Sequence, residues 1–240
     1  MTITEQPPSA SVAADDYWWY LARGPLLEAA LGKFLPPAAD VLDVGSADGP
    51  SARWIRRPDS RVVSIDLHRS GLSGSGVVGS AMELPFADSS FDAVCAFDVI
   101  EHCEPEAVAL REIHRVLRPG GVFLMAVPAY EWAWSEHDVA SGHHRRYTTR
   151  RARAAAQRAG LAVDRASYGF AGVFPLFAAQ RLASRARHAV APPPDIAILP
   201  RTSRPLHHLL MGLCRIDERL LGRVDLPFGS SVFLAARRRP

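Results

Sequence analysis

The chain has 240 residues, of which 48% are hydrophobic and 22% charged, a balance typical of a globular domain with a sizeable core. No uninterrupted apolar run approaches the length of a membrane span, and the polar, proline-containing first fifteen residues are not expected to be a secretory leader. Three cysteines without C-x-x-C spacing favour a reducing cytoplasm over a disulfide framework.

Charge is distributed unevenly along the chain. Residues 1–150 carry 13 basic and 20 acidic side chains, a net charge of −7, whereas residues 151–240 carry 15 and 5, a net charge of +10. The basic part suits an anionic substrate or surface, although a compositional bias toward Arg and Ala explains it equally well. Basic residues do not alternate with aromatics along any stripe, so nucleic acid is not an expected partner.

The N-terminal part divides into a tail and a helix. Residues 1–14 are expected to be disordered, and residues 15–240 to form a single domain. Apolar residues at helical spacing follow Trp18 and Trp19 and predict a helix that extends to about residue 35. The two tryptophans are expected to pack on a sheet, with the lining of a pocket as the alternative.

A short strand at residues 40–44 leads into a glycine turn at residues 45–49. Gly45 and Gly49 supply backbone freedom where a ligand must come close, and residues 51–55 can open the next helix. Ala47 stands between the two glycines, so the turn lacks the G-x-G-x-x-G spacing of dinucleotide-binding folds.

Strand and helix patterns alternate through the rest of the chain, which favours an α/β fold. A strand at residues 61–66 ends in Asp66, whose carboxylate can accept hydrogen bonds from ribose hydroxyls; a helix cap is the alternative. The near-continuous apolar run at 91–97 is typical of a central parallel strand. Further strands are predicted at 77–79, 122–127, 161–168 and 227–236, and helices at 105–117, 148–160, 170–190 and 206–221.

Several motifs together resemble those of class I S-adenosylmethionine-dependent methyltransferases of the type 11 family. D-x-G-x-A-x-G at residues 43–49 resembles motif I, S-F-D-x-V-x-x-x-x-V-x-E-H at 90–102 resembles motif IV and its extension, and R-E-I-H-R-V-L-R-P-G-G at 111–121 resembles the approach to strand 5. The resemblance implies a Rossmann-like, seven-stranded, mostly parallel sheet with an antiparallel last strand. The core would comprise residues 38–170 and 228–236, with a helical insertion at about 170–227.

The resemblance also implies S-adenosyl-L-methionine as cofactor and S-adenosyl-L-homocysteine as product. Asp43 would face the amino-acid tail of the cofactor, and Ser80 stands where the family usually has an Asp that addresses adenine. The implied cofactor-binding residues are Asp43, Gly45, Ser46, Ala47, Gly49, Asp66, Leu67, Ser80, Ala81, Met82, Phe97 and Asp98.

The acceptor side is expected in the polar segment 128–147, whose P-A-Y-x-W-x-W-S-x-H-D-x-x-x-x-H-x-R-R-Y pattern resembles a subset of bacterial methyltransferases. A histidine beside a transferable proton can act as a general base, and arginines can hold an anionic group. The candidate catalytic residues are His137, His143, Glu101 and His102, and the candidate acceptor-binding residues are Trp134, Arg145, Arg146 and Tyr147.

A divalent metal is an alternative here rather than the expectation. Asp98, Glu101 and His102 have D-x-x-E-H spacing, which resembles a metal site of ubiquinone-type O-methyltransferases and could hold Mg²⁺. A site of two His and one Asp in the 137–143 segment is a second alternative. No metal is expected, because carboxylates at strand ends more often cap helices or orient a ligand.

The sequence thus predicts a methyltransferase acting on a small-molecule acceptor, anionic by the charge pattern, with an O, N or C atom as the nucleophile. An inactive S-adenosylmethionine-binding scaffold is the main alternative, motivated by Ala47 and Ser80, and a nicotinamide oxidoreductase is disfavoured by the missing glycine. The insertion is expected to cover the site or form a homodimer. Contact between its arginines and an anionic membrane is the alternative.

Overall fold

The structure is a computed structural model in which residues 17–45, 49–69, 72, 76–188 and 202–240 are described. Within them, seven strands form one sheet in the order β3-β2-β1-β4-β5-β7-β6. The strands are β1 Asp40–Val44, β2 Arg61–Asp66, β3 Val77–Val78, β4 Phe91–Phe97, β5 Leu117–Pro128, β6 Leu161–Gly169 and β7 Ser231–Arg238.

The pairing of the strands confirms the predicted sheet. β1 lies parallel to β2 and β4, β2 to β3, and β4 to β5, whereas β7 runs antiparallel to both β5 and β6. The strand order therefore reverses between β1 and β4, at the point where open α/β sheets form their ligand crevice.

Both faces of the central strand β4 are covered, since the consecutive residues Val94 and Cys95, which face opposite sides of the sheet, are fully buried. Helix α1 packs its buried Leu26, Leu27 and Leu31 into the same core cluster. The α-helices in the described residues are α1 Trp18–Leu31, α2 Glu106–Val116, α3 Glu136–Ala140, α4 Thr149–Arg158, α5 Phe174–His188 and α6 Arg204–Leu221. None of these is both long and apolar enough to cross a bilayer.

Several boundaries differ from the sequence-based prediction. The helix expected after the glycine turn is the 3-10 segment Pro50–Ile55, and the polar 128–147 segment contains the 3-10 turn Glu131–Ala133 and helix α3 rather than loop alone. The last strand begins at Ser231 and extends into the expected arginine tail. Residues 1–14 and most of the proline-rich 192–205 stretch lie outside the described residues.

Cys95, Cys103 and Cys214 are all free and buried, as their spacing predicted. Burial raises the pKa of each thiol above its ordinary value, which disfavours the reactive thiolate. The cysteines therefore act as small apolar side chains in the core.

Candidate active site

A cavity of about 1270 Å³ opens at the carboxyl edge of β1, β2 and β4. It lies there because parallel strands bring their C-terminal residues to one edge of the sheet, beside the reversal of strand order. A typical small-molecule site occupies roughly 300–1,000 Å³, so this cavity has room for two ligands side by side.

Most of the predicted cofactor-binding residues line one end of the cavity, which we call the cofactor end. Asp43 is fully buried in β1 and is not among the lining side chains, and Ser46 and Ala47 lie outside the described residues. The predicted cofactor residues that line the cavity are Gly45, Gly49, Asp66, Leu67, Ser80, Ala81, Met82, Phe97 and Asp98.

The turn after β1 requires glycine at position 45. Gly45 has a φ of +72°, and a Cβ added there would stand 2.5 Å from Cγ2 of Val99. Its backbone N–H donates to the carbonyl of Ile65 at 2.7 Å, which holds the turn against β2. A side chain at position 45 would clash with Val99, so only glycine lets the turn pack this closely against the segment after β4 at the cavity wall.

Two polar side chains of the predicted cofactor set, Asp66 and Ser80, line the cavity. Asp66 ends β2, and its Oδ1 accepts a hydrogen bond from the backbone N–H of His68 at 3.0 Å. Ser80 follows β3, and its Oγ accepts from the N–H of Met82 at 3.1 Å. A hydroxyl oxygen has two lone pairs, so Ser80 can accept one further hydrogen bond in the place of the family's Asp.

An arginine that the sequence did not single out is buried beside the cofactor end. Arg23 of α1 is 1% exposed, and its Nη2 lies 2.6 Å from Oδ2 of Asp98 in an ion pair. Its guanidinium also lies over the Trp19 ring, 4.7 Å from the centroid. Asp98 is therefore already paired with a cation of α1.

The aromatic start of α1 forms part of the cavity wall, in residues 17–20. Trp19 also stacks on Phe170, with 5.7 Å between ring centroids, and Trp18 and Trp19 are half-buried against the core. The expectation that the tryptophans only pack on the sheet was therefore wrong, because they do this and line the pocket as well.

At the other end of the cavity, Glu101 is a fully buried carboxyl group on the 3-10 turn Ile100–His102. Neither of its side-chain oxygens has a hydrogen-bond partner among the described residues. Burial, together with the negative charge of Asp98, raises the pKa of Glu101 well above its ordinary value. An uncompensated carboxyl facing a cavity is costly and is typical of a binding site.

Asp138 of α3 organises the neighbouring polar residues. Its Oδ1 is 2.8 Å from Nδ1 of His143, and Arg146 donates from Nε and Nη2 to its two oxygens at 2.8 and 3.0 Å. Burial favours the neutral acid, but the hydrogen bonds from His143 and Arg146 outweigh it and lower the pKa of Asp138 below its ordinary value. Because Asp138 is ionised, Nδ1 of His143 carries the hydrogen and donates it.

The structure brings only some of the predicted acceptor residues to the cavity. Glu101, His102, His137, His143 and Arg146 line it, although the guanidinium of Arg146 is already paired with Asp138.

For the other three predicted acceptor-binding residues, the structure corrects the prediction. Arg145 is buried, pairs with Glu104 and donates to the carbonyl of Cys103. Tyr147 is buried and donates to Glu106, and Trp134 is not among the lining residues. Arg145 and Tyr147 make their polar contacts within the protein, and Trp134 does not line the cavity. The structure therefore does not support contact between these three residues and the acceptor.

The helical insertion supplies a cation that sequence reasoning missed. Arg181 of α5 is half-buried in the cavity wall, and its guanidinium lies 5.2 Å from the centroid of the Phe177 ring. Its Nε has no hydrogen-bond partner among the described residues, and burial lowers its pKa. The only signal in the sequence was an arginine one helical turn after a phenylalanine.

Both helices of the insertion contribute to the cavity wall, α5 through Phe177 and α6 through Leu206 and Leu210. This position agrees with the prediction that the insertion covers the site. Homodimer formation and membrane contact stay predictions.

The methyltransferase domain family matches residues 42–125, which run from β1 into β5 and include the cofactor end of the cavity. By this match the chain carries a methyltransferase domain, and its seven-stranded sheet is the one predicted for class I. Its motifs coincide with the strand ends that line the cavity.

Comparison with known proteins supports this domain at the level of sequence. The sterol 24-C-methyltransferase of Yarrowia lipolytica is 35% identical over 127 residues, which are 46% of this chain and 32% of that protein. The chain spans about a third of the length of the curated relatives that it matches.

Solved structures show the same fold. A chain in a complex that contains the Haloferax volcanii Trm112 methyltransferase activator superposes with a TM-score of 0.63 at 20% identity, over 99% of this chain and 98% of that one. Phosphoethanolamine N-methyltransferase 2 of Haemonchus contortus, in complex with phosphomonomethylethanolamine and S-adenosylhomocysteine, gives a TM-score of 0.55 at 18% identity, over 89% of this chain and 53% of that one.

Proposed function

We propose that this protein transfers a methyl group from S-adenosylmethionine to a small-molecule acceptor that carries an anionic group. The observation that carries the proposal is one cavity that joins the predicted cofactor residues to a second, polar end. The methyltransferase domain supports the cofactor, and the size of the cavity supports simultaneous binding of an acceptor.

The residues at the first end fit the cofactor. Gly45, Asp66 and the segment 80–82 all line this end. Gly45 would let the backbone approach the cofactor closely, Asp66 would accept hydrogen bonds from the ribose hydroxyls, and residues 80–82 would border the base. S-adenosylmethionine supplies an electrophilic sulfonium methyl group when bound. The protein contributes mainly by holding the two reactants in line, since proximity and orientation account for much of the acceleration of such reactions.

The second end of the cavity suits an anionic acceptor. Arg181 lines the cavity with a half-buried guanidinium, and among the described residues no ion pair joins it to a carboxylate. A guanidinium binds carboxylate or phosphate through paired hydrogen bonds. The Haemonchus contortus complex contains a phosphate-bearing acceptor, which agrees with this chemistry.

A proton acceptor is present at the same end. His137 lines the cavity, and its ring centroid is 6.3 Å from that of His143. An imidazole at this position can take the proton that an attacking hydroxyl or amine loses. We therefore assign His137 as the candidate general base.

Calorimetric titration with S-adenosylmethionine and S-adenosylhomocysteine tests the cofactor, and methyl transfer to a panel of phosphate- and carboxylate-bearing acceptors tests the reaction. We expect micromolar cofactor binding, with no comparable binding of a nicotinamide dinucleotide. Absence of S-adenosylmethionine binding would overturn the proposal, whereas binding without transfer to any acceptor would favour the inactive scaffold.

The substitution Arg181→Met tests whether Arg181 binds the acceptor. We expect KM for the acceptor to rise about tenfold or more, because a charge-assisted hydrogen bond is lost, while cofactor affinity stays unchanged. Arg215→Met, on the exposed face of α6, is the matched control. An unchanged KM in Arg181→Met would remove the arginine from acceptor binding.

A further inference from the structure

Three potential metal ligands converge at the acceptor end of the cavity. Glu101, His102 and His143 each offer one ligand atom, and these atoms lie within 4.8 Å of one another. The rings of the two histidines are nearly perpendicular, with 4.6 Å between their centroids. The three residues come from the turn after β4 and the segment after α3, so only the tertiary structure brings them together.

Glu101 gives an independent indication of a bound cation. Its carboxyl group is fully buried and lines the cavity, and neither oxygen has a hydrogen-bond partner among the described residues. Two buried arginines act on Glu101 electrostatically, and each is paired elsewhere: Arg23 with Asp98 and Arg146 with Asp138. A cation bound within the cavity would compensate the buried charge of Glu101.

The surroundings of the two histidines resemble the outer shell of a metal centre. Asp138 accepts the Nδ1 hydrogen of His143, and Arg146 and the backbone N–H of Ser135 fix Asp138 in turn. The backbone of Gly142 lies beside the His102 ring. Carboxylates and carbonyls that orient the second nitrogen of a histidine are typical partners of metal-binding imidazoles.

We propose that Glu101, His102 and His143 bind a divalent transition-metal ion of the zinc class. Two imidazoles and one carboxylate are the three-residue set of open zinc sites, whereas Mg²⁺ prefers oxygen ligands alone. Bonds of about 2.0–2.2 Å to the metal place ligand atoms roughly 3.5 Å apart, so small side-chain movements close the set. The set differs from the one suggested by the D-x-x-E-H spacing, because His143 takes the place of Asp98.

The open coordination position would face the cavity that we assign to the acceptor. A metal ion there would polarise an acceptor oxygen and favour its deprotonation, which points to a hydroxyl-bearing acceptor. This role rests on the proposed function, whereas metal binding itself does not.

Co²⁺ and Zn²⁺ alone, added to the purified full-length chain without cofactor, test the site. We expect one ion per chain, visible bands of tetrahedral or five-coordinate Co²⁺, and their displacement by Zn²⁺. Glu101→Gln and His143→Ala should abolish these bands, and Asp138→Asn should weaken binding about 10–100-fold through loss of the outer shell. Thermal unfolding of each variant verifies that it is folded, and Glu101→Gln preserves the shape of the side chain.

His208→Ala is the matched control, because exposed His208 and half-buried His207 are neighbours on α6 and could bind metal adventitiously. The proposal requires that this variant keep the Co²⁺ bands. Absence of saturable binding to the wild type, or bands that persist in folded Glu101→Gln and His143→Ala, would overturn it. Titration of the metal-free protein with S-adenosylhomocysteine tests the cofactor separately, so the two proposals can fail independently.

Discussion

At the scale of the residue, Asp66 links a sequence motif to one defined contact. Its carboxylate ends β2, lines the cavity and accepts from the N–H of His68. We expect Asp66→Ala to weaken S-adenosylhomocysteine binding by about 1–3 kcal/mol, because hydrogen bonds to the ribose hydroxyls would be lost. Isothermal titration calorimetry measures the difference directly.

The control for this substitution is Asp59→Ala, which removes an exposed carboxylate from the turn before β2. It should leave the cofactor affinity unchanged, since Asp59 does not line the cavity. If Asp66→Ala and the wild type bind S-adenosylhomocysteine with equal affinity, Asp66 does not contact the cofactor and only stabilises the local turn.

At the scale of the element, Glu112 fastens helix α2 to the segment that follows β3. Its carboxylate accepts two hydrogen bonds of 2.7 Å from Arg115 and one of 2.8 Å from the N–H of Leu84. The hydrogen bonds from Arg115 and from the backbone lower the pKa of Glu112. A lowered pKa in the folded state means stabilisation at neutral pH that is lost as the pH falls through that pKa.

We therefore expect Glu112→Gln to reduce the free energy of unfolding at neutral pH by about 1–2 kcal/mol. The difference from the wild type should shrink as the pH falls below the ordinary glutamate pKa of about 4.3. Urea unfolding over a pH series measures both quantities. Glu83→Gln, on an exposed carboxyl of the same region, is the control, and a pH-independent difference would contradict the explanation.

At the scale of the whole molecule, Arg165 joins β6 to two distant helices. Its buried guanidinium donates to the carbonyls of Ala30 at the end of α1 and of Leu221 at the end of α6, at 2.7 and 2.8 Å. It also pairs with Asp225 at 2.6 Å. This one side chain satisfies carbonyls at the ends of two of the helices that border the cavity.

We expect Arg165→Met to lower the free energy of unfolding by about 3–5 kcal/mol, because several buried acceptors lose their donor at once. Chemical denaturation measures this loss. Arg237→Met removes an arginine from a half-exposed pair with Asp164 and should cost less than about 1 kcal/mol. Similar losses in the two variants would show that Arg165 does not hold the helices together.

The local pattern of the sequence was sufficient to predict the sheet. Apolar runs of strand length occur at β1, β2 and β4, and each is followed by polar residues or glycine. Since parallel strands share a carboxyl edge, the residues after these runs must meet. Gly45, Asp66, Ser80 and Phe97 therefore line one cavity, as the motifs implied.

The tertiary structure alone decided which polar side chains face that cavity. In the run 145–147, Arg145 pairs with Glu104 just before α2, and Tyr147 donates to Glu106, the first residue of α2. Arg146, between them, is tied to Asp138. Arg181 reaches the cavity from an insertion whose sequence pattern showed only a helix. The physical reason is that the partner of a buried charge is set by packing between distant segments, whereas strand and turn formation depends on neighbouring residues.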